Sequence, residues 1–330
     1  MNRNLLLTGI TLAFALVSQT GMAANANTTQ KGSLLIYPKI DVRNGTSTWV
    51  RMVNDSKDPV TVKCYYMDVE KHRVDFEFPL TKNQPVLFDA ATGYSSTRSM
   101  NAFPQGPGYP GYGELVCFTV SDDGSALRTY NQLSGTATVA DIRTGAAEYS
   151  AWSFRAVGEV ADEKRIDLDG SHYDTCPAYL FGQYSPAGAP APGKQVYGAT
   201  TINISGCRQD LRQDFNWNNT KLQFDVWKYD ETRLTGAYHC ANSFAETTLD
   251  GVKTAPQNFS AALLKDAAYY RVQGVKSTQC TDSQNTGLVG IQTSVIPTLG
   301  AVSTELAASN TAAPVGFVEW DAASTMDAPQ

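Results

Sequence analysis

Six cysteines, three histidines and one tight run of aspartates are the side chains of this chain that could do covalent, acid–base or metal chemistry. The cysteines are Cys64, Cys117, Cys176, Cys207, Cys240 and Cys280. Their even number and the absence of a C-x-x-C pair point to disulfides rather than to a zinc site. Sequence neighbours are the expected partners, Cys64 with Cys117, Cys176 with Cys207 and Cys240 with Cys280, while spacing alone leaves other connectivities open. His72, His172 and His239 stand in no H-E-x-x-H or C-x-x-C-H arrangement, no G-x-S-x-G elbow occurs, and no glycine-rich phosphate loop opens a helix. Zinc-protease, covalent haem and nucleotide chemistry therefore have no carrier, and a nucleophilic triad would have to be assembled in space. Asp167-x-Asp169-Gly170-x-x-x-Asp174 gathers three carboxylates that could suit Ca²⁺. It lacks the EF-hand order and its closing glutamate, so a solvated Asp-Gly turn is the better reading. No catalytic residue, metal or cofactor follows from these groups.

The aromatic residues are more suggestive. From Asn101 to Gly113, Pro and Gly surround Tyr109 and Tyr112, with Tyr94 and Phe103 nearby. A loop tyrosine presents a rigid amphipathic face to a sugar or a protein, which makes Tyr109 and Tyr112 the candidate ligand contacts. The competing reading is that these rings lid the end of a core, as large aromatics usually do.

The elements that must hold these residues are strands. In Glu114 to Val120, Val116, Phe118 and Val120 share one parity while Leu115 and Cys117 share the other, which predicts a central strand covered on both faces. Thr136 to Ile142 and Tyr149 to Phe154 flank Arg143-Thr144-Gly145-Ala146 and read as a hairpin whose glycine takes an αL position. Leu34 to Val42 is a strand with Pro38 in its middle, hence an edge or a bulge. Trp49 to Val53 and Val60 to Tyr66, joined by the polar turn Asn54 to Pro59, read as a hairpin with one buried face. This entry suits an immunoglobulin-like sandwich in which Cys64 and Cys117 would bridge two packed sheets. Further on, Tyr184 to Gly198 has the composition of an exposed linker, Phe259 to Tyr270 reads as a short helix capped by Ser260, Ser303 to Ala313 as a mobile connection, and Val315 to Trp320 as an edge strand or docked tail.

The expected fold class is thus all-β: a disulfide-bonded β-sandwich, immunoglobulin-like in its first half, with a second β-rich half. Arg3, the apolar run Leu5 to Val17 and the small residues through Ala26 have the order of a signal peptide. Cleavage after Ala26 fits an A-x-A site, and cleavage after Ala23 is the close alternative. The organisation read from the 330 residues is residues 1–26 signal peptide, 27–158 sandwich, 159–300 second domain or extension of the same sandwich, and 301–330 flexible or docked tail. No second apolar run approaches the length of a transmembrane helix. The formal net charge of −6, with scattered Lys and Arg, excludes the basic footprint of a nucleic-acid binder.

Short motifs spread over most of the chain carry a resemblance: Leu35-Ile36-Tyr37-Pro38-Lys39-Ile40, Gly113-Glu114-Leu115-Val116-Cys117-Phe118, Asn131-Gln132-Leu133-Ser134-Gly135, Tyr149-Ser150-Ala151-Trp152, Leu168-Asp169-Gly170 with Cys176-Pro177, and Gly206-Cys207. With these the chain resembles a family of exported, β-rich proteins of deltaproteobacteria and related Gram-negative bacteria that has no assigned activity. The resemblance implies a secreted or surface-associated protein. The functional expectation is a binding or structural component in the periplasm, at the cell surface or outside, with a glycan or a surface protein as partner. The alternatives are a secreted polysaccharide-active enzyme and a periplasmic accessory subunit of a surface assembly.

Overall fold

The strand-rich pattern is realised in a computed structural model that describes residues 25–158, 164–186, 189–190, 197–212, 218–250, 267–296, 300–313 and 316–321. Among these residues the one helical segment is a short 3-10 turn, Arg43–Gly45. Three disulfides join Cys64 to Cys117, Cys176 to Cys207 and Cys240 to Cys280, the expected pairs. The class is all-β.

The first half builds nine strands: β1 (Leu34–Asp41), β2 (Ser47–Asn54), β3 (Val60–Asp68), β4 (Arg73–Leu80), β5 (Pro85–Asp89), β6 (Tyr112–Val120), β7 (Leu133–Asp141), β8 (Gly145–Ser150) and β9 (Trp152–Phe154). They form a five-stranded sheet in the order β4-β3-β6-β1-β9 and a four-stranded sheet in the order β5-β2-β7-β8. The middle place of β6 is what its two apolar parities required. Leu115 and Cys117 share a core with Leu35, Tyr37, Cys64 and Tyr66, and with Val50, Met52 and Phe88 of the four-stranded sheet. Val116, Phe118 and Val120 lie in a second core with Leu34, Ile36, Tyr65, Trp152 and Phe154. That second core is completed by Ile204, Leu222, Phe224, Val272 and Trp320 of the second half. The five-stranded sheet is therefore covered on one face by the four-stranded sheet and on the other by the second half.

Several local readings are corrected by this arrangement. β2 and β3 do not pair; they belong to different sheets, and Asn54 to Pro59 carries the chain from one to the other. All nine residues of β3 are buried, so its alternation marks two covered faces rather than one. The second hairpin arm breaks at Ala151: β8 pairs with β7, while β9 leaves to pair with β1. The turn between β7 and β8 does use Gly145 at φ +93°. Cys64 and Cys117 are directly opposite each other on β3 and β6, with Cα atoms 4.1 Å apart. Their disulfide staples neighbouring strands of one sheet, the close spacing of an antiparallel non-hydrogen-bonded pair, and does not bridge two sheets. Around Pro38 the pairing of β1 with β6 shifts register between Tyr37 and Ile40, the bulge that a proline in a ladder needs.

In the second half a long sheet runs in the order Gly300–Glu305, Leu288–Ile296, Tyr197–Gly206, Phe244–Thr247, Arg233–Asn242, Asn219–Trp227, Ala268–Val275, Leu180–Tyr184 and Ala307–Ala308. A small sheet holds Phe317–Glu319 between Arg165–Asp167 and Arg208–Asp210. Ser303 to Ala313 contains the end of the strand Gly300–Glu305 and the short strand Ala307–Ala308, and the segment ending at Trp320 is a middle strand instead of an edge. Trp320 is buried with its ring tilted against that of Phe118, and Asp321 accepts from Tyr65 Oη at 2.7 Å and from Arg73 at 3.0 Å. Ala268 to Tyr270 is strand, so the helix does not reach that far; residues 259–266 of that reading lie outside the described residues, as do residues 1–24 and most of the linker 187–196.

Candidate functional site

The break between β8 and β9 opens a cleft of about 360 Å³. Arg51 of β2 is paired in register with Thr136 of β7, and Thr136 with Ser150 of β8, so these three side chains form one row across three strands. Val53 and Ser134 make the next row. On the other side Leu35 and Ser153 are paired residues of β1 and β9 and lie at the floor. Gly135 in the lining has to be small. A Cβ at Gly135 would sit 1.9 Å from the hydroxyl of Tyr37, which donates to the carbonyl of Arg51, so no larger side chain fits there.

The outer wall is Thr28 to Lys31, and it is held rigidly. Asn27 exchanges backbone hydrogen bonds with Ser153, and Gly32 exchanges them with Leu133. The side chain of Asn27 accepts from the backbone N–H groups of Thr29 and Gln30 at 3.0 and 2.9 Å, an Asx turn. Gln30 Nε2 donates to the Ser153 carbonyl at 2.8 Å and to Asp174 at 2.7 Å.

Several polar groups in the cleft stand without a protein partner among the described residues, Ser153 and Arg51 among them. Ser153 is 1% exposed, and its hydroxyl has none. The exposed guanidinium of Arg51 meets no carboxylate, whereas Lys31 pairs with Asp55. No Asp, Glu, His or Cys lines the cleft.

The candidate tyrosines lie elsewhere and apart from each other in environment. Tyr112 is the first residue of β6, not a loop residue. Its ring lies 3.9 Å beneath the Arg43 guanidinium and edge-on to Phe244 of the second half, at 6.3 Å between centroids. Arg43 in turn bonds Asp41 at 2.6 Å and Glu246 at 2.7 Å. Burial, reinforced by Glu246, pushes the Tyr112 hydroxyl up. Tyr109 remains in the loop, half-buried, with its ring edge against His72 at 4.9 Å. Tyr94 is exposed and Phe103 is core.

The histidines and aspartates are used locally. His72 Nδ1 is 2.8 Å from Asp68 Oδ2, while Asp68 Oδ1 accepts from the backbone of Glu70 and His72. The same device recurs at Asp169, which accepts from the backbone of Ser171 and His172 and lies 2.8 Å from His172 Nδ1. Against the cost of burial, these bonds hold the Asp169 carboxyl down to about 2. Asp167 pairs with Arg165, and buried Asp174 with Arg155. Each carboxylate of the Asp167–Asp174 run therefore closes its own turn or ion pair, and among the described residues no group of three or more such side chains is placed to hold a metal.

Arg51 and Ser153 were not legible as site residues. The one hint is that Ser153 stands between Trp152 and Phe154, a hydroxyl on the opposite parity from two large apolar side chains. Comparison of the chain with protein-family models, with curated proteins and with solved structures finds no match.

Proposed function

We propose that this is an exported binding protein whose first half is an immunoglobulin-like sandwich and whose ligand enters the cleft between β8 and β9. The observation that carries the reading is the row of Arg51, Thr136 and Ser150 along a preformed cleft, with the guanidinium facing no carboxylate. The lining supports binding over hydrolysis, since a glycoside hydrolase needs two carboxyl groups facing the bond it cuts. Assembly by strand addition draws less support, because the outer strand β4 carries exposed Glu77 and Pro79, residues that discourage edge pairing. Purified protein screened on a glycan panel and against a cell-surface extract should retain a ligand, and Thr136→Trp, which fills the cleft from a half-exposed position, should abolish retention without lowering the melting temperature. Equal retention by the variant would move the site elsewhere.

Export is supported by the three disulfides, which persist in oxidising compartments. Among the described residues no helix is long and apolar enough to cross a membrane. The mature chain should begin at Ala24, by cleavage after Ala23, and not at Asn27. Ala26 is 1% exposed in the core, and its N–H donates to the Thr175 carbonyl at 2.8 Å. Asn25 donates to the Ser309 carbonyl at 2.8 Å and accepts from Thr175 Oγ1. Removing both residues would open a hole between the two halves. The intact mass of the exported protein measures this, and a chain starting at Asn27 would refute it.

A further inference from the structure

The chemistry of the cleft says what kind of ligand it takes; this step rests on the reading of the cleft as a binding site. We propose that it binds a uronate unit of an acidic saccharide, with Arg51 anchoring the carboxylate and the hydroxyl side chains pairing the sugar hydroxyls.

The anchor follows from what Arg51 lacks. A guanidinium offers a planar fork that matches a carboxylate in two parallel bonds. Of the eleven other arginines among the described residues, eight face an acid, among them Arg43 with Asp41 and Glu246, Arg155 with Asp174, and Arg271 and Arg233 with Asp225. Arg51 stands at the mouth of a cleft with no acid in its lining, and the carboxylates next to the lining, Asp55, Asp174 and Glu305, are already bonded to Lys31, Gln30 and the Ser150 N–H. Its position is fixed by the β2 ladder, flanked by β5 and β7.

The saccharide part follows from the hydroxyls. Thr136 and Ser150 continue the row begun by Arg51, and at about 4.8 Å between strands the row spans roughly 10 Å. Ser134 adds a further hydroxyl on a second level. Side-chain hydroxyls both give and accept hydrogen bonds, which suits a ligand whose own groups do the same. The lining holds no aromatic ring, so recognition runs through the hydroxyl edges of the sugar and its charge and not through stacking on its face. A cleft of about 360 Å³ is at the small end of ligand sites, room for a short segment and not for a long chain.

Titration calorimetry with trigalacturonate, a neutral galactose trimer and citrate separates the parts of the proposal. Trigalacturonate should bind at least roughly tenfold more tightly than either of the others, since the neutral trimer lacks the carboxylate and citrate lacks the ring hydroxyls. Arg51→Gln should weaken it by about tenfold or more, and Arg51→Lys should restore only part, because an ammonium is a point charge without the fork. Equal binding of the neutral trimer, equal binding of citrate, or an Arg51→Gln variant that binds normally would each overturn the uronate assignment. If a neutral glycan binds and Thr136→Trp abolishes it, the cleft remains the binding site and only the uronate is lost. If no ligand responds to Thr136→Trp, the reading of the cleft falls as well.

Discussion

Trp152→Ala should lower the stability of the whole protein by about 3–5 kcal/mol, and the loss should register in both halves at once. The indole is 1% exposed and belongs to the core that joins the five-stranded sheet to the second half. Its Nε1 donates to the carbonyl of Gly290 at 3.0 Å, across 138 residues of sequence. Truncation removes a large apolar volume and leaves that carbonyl without its indole donor, so transfer, cavity and hydrogen-bond losses add. Because the cavity lies between the halves, amide hydrogen exchange in β6 and in Asn219–Trp227 should accelerate together. Trp152→Phe should recover most of the packing and still lack the hydrogen bond, a deficit of about 1–3 kcal/mol. Protection in Asn219–Trp227 that stays at the wild-type level in Trp152→Ala would show two independently stable units.

The second large effect is a fall in stability with rising pH, carried by Glu114. This side chain is on β6, wholly buried, and faces the second half, where Gln209 Nε2 lies 3.0 and 3.1 Å from its two oxygens. Burial pushes its carboxyl up to about 8, opposed in part by the Ser205 hydroxyl and the Gln209 amide. Among the described residues no cation lies against it to favour the charged form. Above its ordinary value of 4.5 the unfolded chain sheds a proton that the folded chain keeps until about 8. Folding therefore takes up a proton in that window, and stability is greatest below it and declines as pH rises through it. The full decline is on the order of 3–5 kcal/mol. Glu114→Gln, which keeps the shape and cannot ionise, should flatten the dependence and be the more stable protein at pH 8 and above. Urea midpoints measured from pH 5 to pH 9 give the answer, and parallel curves for wild type and variant would exclude Glu114 as the source.

Both expectations depend on a core that the sequence announced without naming its partner. The two apolar parities of Glu114 to Val120 determined by themselves that β6 is a central strand, because alternation reports directly which faces are buried. The three disulfide pairs were legible as sequence neighbours, and the turn role of Asp169-Gly170 was legible from side chains that bond their own backbone. What alternation cannot report is what lies opposite a buried face. Only the tertiary structure decided that Val116 and Phe118 share a core with Leu222 and Trp320, that β2 and β3 part into different sheets, and that Cys64 and Cys117 join strands of one sheet. The cleft depends on the same kind of fact. Arg51 and Ser153 are unremarkable positions in two alternating strands, and they face one space because the chain changes sheets at Ala151 and residues 28–31 fold back over the gap. Hydrogen bonds such as Gly32 to Leu133 and Trp152 to Gly290 link residues far apart in the chain, and no local pattern encodes which distant partner a backbone group will find.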